Sequence, residues 1–525
     1  MQLIQRVLFV SALAILFWTT CPLGLAVEPP VVDEAQTVFR VTDAQGHPLP
    51  CRIHVENEAG KPQLAKGLPS WRDHFCCLGD AALTLEFGSY SFLVERGPEF
   101  TRQTGSFRVM ETDGTQTISV SLQRTAHMAA DGWYSGDLHV HRPVEDMKLL
   151  MQAEDLHVSA VITWWNQRNL WKDRQLPSDL LAEFDGNRAY HVMAGEDERE
   201  GGALMYFNLK QPLPITEAER EYPSPMKFVA LARQHDDVWI DVEKPFWWDM
   251  PVWVASGQID SVGLANNHMC HRRMYESEAW GKPRDDQRFP APLGNGFWTQ
   301  EIYYRLLNCG LRIPPSAGSA SGVLPNPIGY NRAYVYVGDD FNYDNWWAGL
   351  KAGRSFVTNG PLLVTKANGR LPGHVFEGTE GESIEIEIDV SLTTNDNVPE
   401  IEIIKNGRVE KQVAVRSLEK NGEYTESGRL ETIRFEKSGW FLVRAITDNP
   451  RTFRFASTAP YYVEVGEKRR FVERESAQFF LDWVDERIER VRERLTEPAK
   501  LSDVLKYHDT AREFWAKKVA EANED

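Results

Sequence analysis

The sequence predicts a multidomain protein in which an α/β unit stands between two all-β sandwiches and a helical tail ends the chain. Three observations predict it. Over residues 36–125 apolar and polar residues alternate in short runs broken by turn signals, as in Val38-Phe-Arg-Val41 before Asp43-Ala-Gln-Gly46, Arg52-Ile-His-Val55, and Leu83–Phe87 before Gly88. That period-two texture is characteristic of a sandwich. Over residues 127–375 strand-like runs alternate with helical ones, which argues a parallel sheet or barrel. Over residues 381–466 the alternation returns, and residues 470–525 carry helical periodicity. A chain of 525 residues is too long for one ordinary domain and suits three or four folded units.

The N-terminus comes first. Residues 1–26 read as a secretory signal: Arg6 supplies the positive charge, Val7–Trp18 the apolar core, and Gly24-Leu25-Ala26 the small residues before a cleavage point at Val27. The apolar run is short for a membrane span. The expected location is therefore secreted or periplasmic, with no stable membrane span after cleavage. Cys51, Cys76, Cys77, Cys270 and Cys309 then remain, too few for a disulfide scaffold. An oxidising compartment would permit one bridge, from Cys51 to Cys76 or Cys77. The net charge of −18 argues against a nucleic-acid polymer as partner, which needs a basic footprint.

In the α/β unit the expected strands are Asp137–His141, Val158–Thr163, His191–Gly195, Val238–Val242, Ser261–Ala265 and Arg312–Gly318, with helices at Glu145–Ala153, Pro225–Gln234 and Thr299–Cys309. Polar or aromatic residues follow nearly every strand: Trp164, Trp165 and Asn166; Glu196, Asp197 and Glu198; Glu243, Lys244 and Phe246-Trp-Trp248; Asn266, Asn267 and His268; Ser319 and Ser321. A site at one barrel rim has this pattern, because chemistry sits at strand C-terminal ends.

The densest motif is Gly132-Trp-Tyr-Ser-Gly-Asp-Leu-His-Val-His141. Side chains alternate along a strand, so Asp137, His139 and His141 share one face while Leu138 and Val140 take the other. One carboxylate and two imidazoles on one face suit a divalent cation. Glu196 is expected to close in from a neighbouring strand, and its bland alternative is a solvated acid in an acidic loop. His268 is a further ligand, a proton donor, or a satisfied structural histidine. His271, beside Arg272-Arg273, reads better as a surface-loop residue. Lys244 is a fixed cation for an anionic substrate, a carbamylated bridge between two metals, or one half of a salt bridge with Glu243. Trp164, Trp165, Asn166, Asn267, Trp247 and Trp248 would line the same rim as substrate contacts or pack beneath a loop. Arg354 could hold an anionic group or form a surface ion pair.

Several of these segments resemble a known family. Gly136-Asp-Leu-His-Val-His141, Ala194-Gly-Glu196, Pro315-Ser-Ala-Gly-Ser319 and Leu350–Pro361 are similar to the polymerase-and-histidinol-phosphatase (PHP) superfamily, in its carbaryl-hydrolase-like, CehA/McbA-type branch. The resemblance implies a distorted (β/α)7 barrel over residues 127–375 and divalent metal at the rim. It also implies hydrolysis of ester or phosphoester bonds. The chain departs from the family at Thr163-Trp-Trp165, at Lys244-Pro245 and at Gly318-Ser-Ala-Ser-Gly322, where side chains of Ala320 and Gly322 offer no ligand. That leaves His139, His141 and Glu196, Asp137 as a ligand or as the group that orients a histidine, and His268 or His271 as a further ligand, for one or two ions of zinc, manganese or iron. Residues 36–125 in turn resemble a carboxypeptidase-regulatory-like sandwich, through Gly46-His-Pro-Leu and Phe87-Gly-Ser-Tyr.

The expected activity is that of an exported, metal-dependent hydrolase, with Glu196 or His268 moving the proton and a small-molecule carbohydrate or aromatic ester or phosphoester as substrate class. The alternative is a degenerate barrel that binds a carbohydrate or partner without turnover. After the barrel, Ile384, Ile386, Ile388 and Val390 alternate with acids, and Asn406-Gly407 marks a hairpin. In the tail, Phe480, Val484, Ile488, Val491 and Leu495 form one apolar stripe, which docks on the protein itself or on a second subunit.

Overall fold

The computed structural model describes residues 33–524 apart from 112, 113 and 468, so the signal-like segment 1–26 lies outside the described residues. It is multidomain and mostly β, with several sheets and, among the described residues, seven α-helices. No described helix is long and apolar enough to cross a membrane.

At the N-terminus a three-stranded sheet, with Glu34–Thr42 at its centre, faces a five-stranded sheet ordered around Cys51–Asn57 and Gly88–Glu95. Phe39, Val41, Ile53, Val55, Phe75, Leu83 and Leu85 fill the space between them. The alternation of Asp80–Glu86 is complete: its Ala81, Leu83 and Leu85 are buried and the residues between are exposed, as a half-buried strand requires.

The central unit is built on Trp133–Val140, buried along its whole length. Val158–Trp165 pairs parallel on one side and Arg332–Tyr336 antiparallel on the other. Arg188–Arg199 then runs parallel to Val158–Trp165. Here the structure departs from the expected run of parallel strands. Gly202–Phe207 folds back antiparallel on Arg188–Arg199, and Trp239–Val242 pairs antiparallel to it. The turn is made by Gly201-Gly202: Gly202 has φ +118°, and a Cβ on it would lie 2.3 Å from Trp247, so only glycine fits. Ser261–Ala265 and Pro315–Ala317 restore the parallel direction, and a single bridge, Val140 to Ser321, brings the loop after Pro315–Ala317 beside the first strand.

The helices of this unit are α1 (Met147–Ala153), α2 (Met226–Ala232), α3 (Met250–Ala255), α4 (Gly294–Asn308) and α5 (Tyr343–Lys351). The short α3 and α5 were not legible as helices. The side chain of Asn342 caps α5 by accepting from Asn345 N at 2.8 Å. Trp346 of α5 lies on Gly136, where a Cβ would meet its ring at 2.4 Å.

A second β core follows, around Leu363, Ile388, Leu392, Ile401, Phe441 and Tyr461. Leu362–Ala367 already pairs with Ile388–Thr393, so the chain enters this core before residue 375. Asn406 (φ +49°) and Gly407 (φ +81°) form the expected hairpin turn between Glu400–Lys405 and Arg408–Ala414. The chain ends in α6 (Arg474–Arg494) and α7 (Pro498–Ala520). Their Phe480, Trp483 and Trp515 join the core of the central unit, so the apolar stripe docks on its own chain.

Candidate metal centre

At the end of Trp133–Val140 the backbone alternation delivers His139 and His141 to one side. Their Nε2 atoms stand 3.0 Å apart. Glu196 reaches them from Arg188–Arg199, with Oε2 3.5 Å from His139 Nε2 and 3.2 Å from His141 Nε2. Three ligands of a tetrahedral zinc-type ion with ~2.0 Å bonds sit about 3.3 Å apart, so this triangle matches one face of a coordination tetrahedron. Glu196 Oε2 is buried and has no hydrogen-bond partner. An orphaned buried carboxylate oxygen facing two imidazoles is a donor set that fits a divalent cation.

Charge in the cluster supports the fit. Burial pulls His139 down, but the Glu196 and Glu243 carboxylates outweigh it and raise the imidazole to about 10. Burial opposes ionisation of Glu196, yet its two histidine neighbours hold it below the ordinary carboxylate range. His141 is lowered by burial. The pocket wants positive charge, and without a cation a proton on His139 supplies it.

The groups behind the triangle fix its orientation. Glu243 Oε1 lies 3.3 Å from His139 Nδ1, the carboxylate-on-imidazole arrangement that sets tautomer and ring direction in metal sites. Glu243 is itself pinned by Trp247 Nε1 at 3.0 Å and by Asn267 Nδ2 and Lys244 Nζ, each 2.5 Å from Oε1. Lys244 is therefore the partner of Glu243, and its ammonium also sits 4.6 Å from the Trp247 ring centre. Asn267 acts on this carboxylate as well. Gly318 lets the loop cross His139 closely, since a Cβ there would fall 2.5 Å from His139 Cβ, and Gly322 does the same over the His141 carbonyl.

Other expected site residues have different places. Asp137 does not join the converging three: its Oδ1 accepts from His139 N and Ser319 N at 3.0 Å each, and its Oδ2 from Gly329 N at 2.6 Å. Those backbone donors occupy the carboxylate, so it ties two loops to the strand. His268 also stays outside the three, its ring packed near Phe246 and Tyr275. Trp164 is 2% exposed and stacks on Tyr206, so it is core and not a substrate wall; Gly195 leaves room for its ring. Arg354 is exposed, and its carbonyl accepts from Tyr336 N. Tyr336 pairs with Trp133, which places Arg354 at the opposite end of the first strand from His139.

Trp165 and Asn166 do border the site. The Trp165 ring lies 5.0 Å from the His141 ring, and its Nε1 donates to Glu198 Oε2 at 3.0 Å. Asn166, at φ +49°, clamps the Glu198 backbone by accepting from its N at 2.8 Å and donating to its O at 2.7 Å. Glu198 is the residue whose role the sequence reading missed. Burial and the Glu196 charge push its carboxyl up to about 7. The signal was present, since Glu196 and Glu198 are two apart on one strand, as His139 and His141 are.

Comparison with known proteins adds little to this geometry. No family model matches the chain, and no curated protein does. Among solved structures, a chain described as the Bacillus anthracis TIE protein aligns with 22% of this chain and 20% of its own length, at 17% identity and a TM-score of 0.15.

Proposed function

We propose that this chain is an exported, divalent-metal-dependent hydrolase of ester or phosphoester bonds, built on a PHP-like distorted (β/α)7 barrel. The observation that carries the reading is the triangle of His139 Nε2, His141 Nε2 and Glu196 Oε2, the last a buried carboxylate oxygen without a hydrogen-bond partner. The barrel reading draws support from the parallel neighbours of Trp133–Val140 and from the Val140–Ser321 bridge. Export draws its support from residues 1–26 alone.

His139, His141 and Glu196 would hold the ion, leaving an open position of the kind catalytic sites keep. A divalent cation there supplies Lewis acidity toward a substrate oxygen and toward water. Glu243 keeps His139 in one tautomer. Glu198, on the same strand face as Glu196 and held by Trp165 and Asn166, is placed to accept a proton from water and return it to the leaving oxygen. Trp165 offers an aromatic wall beside His141 for a sugar or aromatic leaving group.

The test is metal analysis of protein purified without chelator, together with turnover on a panel of esters and phosphoesters. His139→Ala with His141→Ala is expected to remove one metal equivalent and all turnover. Glu198→Gln is expected to keep the metal and lose roughly 100-fold or more in kcat. A folded parent chain without metal at this site and without turnover would replace this reading with its alternative, a barrel that binds a carbohydrate or a partner.

A further inference from the structure

A second cluster of ligand-type side chains lies away from this site, where the N-terminal β unit meets the central unit. His54 comes from Cys51–Asn57, Glu95 from Gly88–Glu95, and His271 from the loop after Ser261–Ala265. Glu95 Oε2 stands 3.0 Å from His271 Nε2 and 3.9 Å from His54 Nε2. One ligand atom from each residue falls within 4.8 Å of the other two. His271 is thus no surface-loop residue: its ring stacks on His54 with centres 5.6 Å apart and planes 10° apart.

We infer that His54, Glu95 and His271 form a second divalent-metal site that clasps the N-terminal β unit to the central unit. Three observations carry this. First, His54 is 2% exposed and neither of its ring nitrogens has a hydrogen-bond partner; two orphaned buried nitrogens are costly unless something binds them. Second, the other edge of His54 faces a carboxylate. Asp73 Oδ2 lies 3.6 Å from His54 Nδ1 while Nε2 faces Glu95, the outer-carboxylate arrangement of metal-bound histidines. Asp73 is held in turn by His74 Nδ1 at 3.0 Å and Arg272 Nε at 2.8 Å. Third, a cavity of about 50 Å3 reaches Glu95 and His271 from outside, so an ion has an access route.

One guanidinium already reaches the ligand oxygen: Arg52 Nη2 donates to Glu95 Oε2 at 2.5 Å while its Nη1 pairs with Glu154. An ion would share Glu95 Oε2 with Arg52 through the oxygen's other lone pair, and the two imidazoles remain without a cation of their own. Arg272 is turned to Glu56 and Asp73. Two imidazoles and one carboxylate suit zinc or a similar borderline ion. The 3.9 Å edge between His54 and Glu95 must contract by about 0.6 Å to reach the ~3.3 Å spacing of a tetrahedral site, and the edge between the two imidazoles, within 4.8 Å, by at most about 1.5 Å.

The experiment uses the purified full chain and Zn2+ as the probe. Bound zinc is counted after equilibration and washing, and Co2+ replaces it for absorption spectra. The His139→Ala/His141→Ala chain is expected to retain one zinc equivalent and a tetrahedral Co2+ spectrum. Adding His54→Gln and His271→Gln to it should remove both, with circular dichroism unchanged. On the otherwise native chain those two substitutions should lower zinc content by one equivalent and leave the His139 site loaded. A folded His139→Ala/His141→Ala chain that holds no zinc overturns the inference, as does a native chain whose zinc content is untouched by the His54 and His271 changes. If the His139 variants misfold, that last comparison on the native chain decides alone. Failure of the hydrolase reading would look different, as a native chain whose one zinc is lost only with His54 and His271.

Discussion

At the scale of single residues, what was legible depended on how local the cause is. His139 and His141 could be placed because alternation along one strand is enough to pair them. Asp137 has the same alternation, but its fate is set by Ser319 N and Gly329 N, nearly two hundred residues away, which no local pattern encodes. His157 carries a consequence of the same kind. It is buried, accepts from Ser135 N at its Nδ1, and has the Tyr134 ring edge-on at 5.2 Å. Burial lowers its imidazole from 6.5 to about 3; the charge of Asp155 opposes this, and those of Arg188, Arg332 and Arg124 add to it. Above pH 6.5 the ring is neutral in both folded and unfolded chains, so its contribution is constant. As pH falls from 6.5 toward 3 the unfolded chain takes a proton that the fold refuses, and stability falls by up to about 1.4 kcal/mol per pH unit. Denaturant unfolding of the His157→Gln chain is therefore expected to show a shallower loss of stability between pH 6.5 and 4.5 than the parent chain. Equal slopes would refute this assignment.

At the scale of elements, strands with one exposed face were readable from alternation, and fully buried ones, such as Ser261–Ala265, only as short apolar runs without a period. Asp80–Glu86 alternates without a break. Gly202–Phe207 is buried at every position, so it has no period to detect, and its reversal depends on glycines fitted against Trp247 and Asp249. Cysteine pairing was legible only as a choice between partners. The register of Cys51–Asn57 against His74–Cys77 settles which partner is in reach: Cys51 lies opposite Cys77, with sulfurs 3.7 Å apart, while Cys76 points into the packing beneath α1 beside Met147 and Leu150. Exposure of the chain to oxidised glutathione is expected to join Cys51 to Cys77. Alkylation after unfolding should then modify Cys76, Cys270 and Cys309 but spare that pair, and the closed loop should stabilise the chain by roughly 2–4 kcal/mol. Mass spectra showing all five thiols alkylated would rule the bridge out.

At the scale of the whole molecule, the four segments legible in the sequence prove less separable than their textures suggest. His271 crosses to the N-terminal unit, Ser355–Thr358 pairs with Phe455–Thr458 of the second β core, and the helical tail closes the central core. Periodicity showed that α6 had an apolar stripe, but it could not show what covers it. The cover is the central unit: Trp483 meets Trp248 edge to face, Trp515 donates from its Nε1 to Pro251 O, and Phe480 packs on Trp515 with ring centres 4.7 Å apart. Each of these aromatic side chains contributes roughly 1.5–3 kcal/mol by burial. Arg487, 1% exposed, donates to the Asp249 carboxylate from Nε at 2.6 Å and to Glu221 from both Nη atoms.

The buried carboxylate of Asp249 is thus matched by a cation on α6, and removing one partner of such a pair costs about 3–5 kcal/mol. Deletion of residues 470–525 would strip away the aromatic cover and this cation together. The shortened chain is expected to lose its cooperative thermal transition or to unfold well below the parent, and to bind a hydrophobic dye through the uncovered Trp248 and Trp253. Arg487→Ala alone should lower stability by a few kcal/mol, measured by denaturant unfolding. A shortened chain that melts where the parent does would show that the tail is an appendage, and that the central unit closes its core without it.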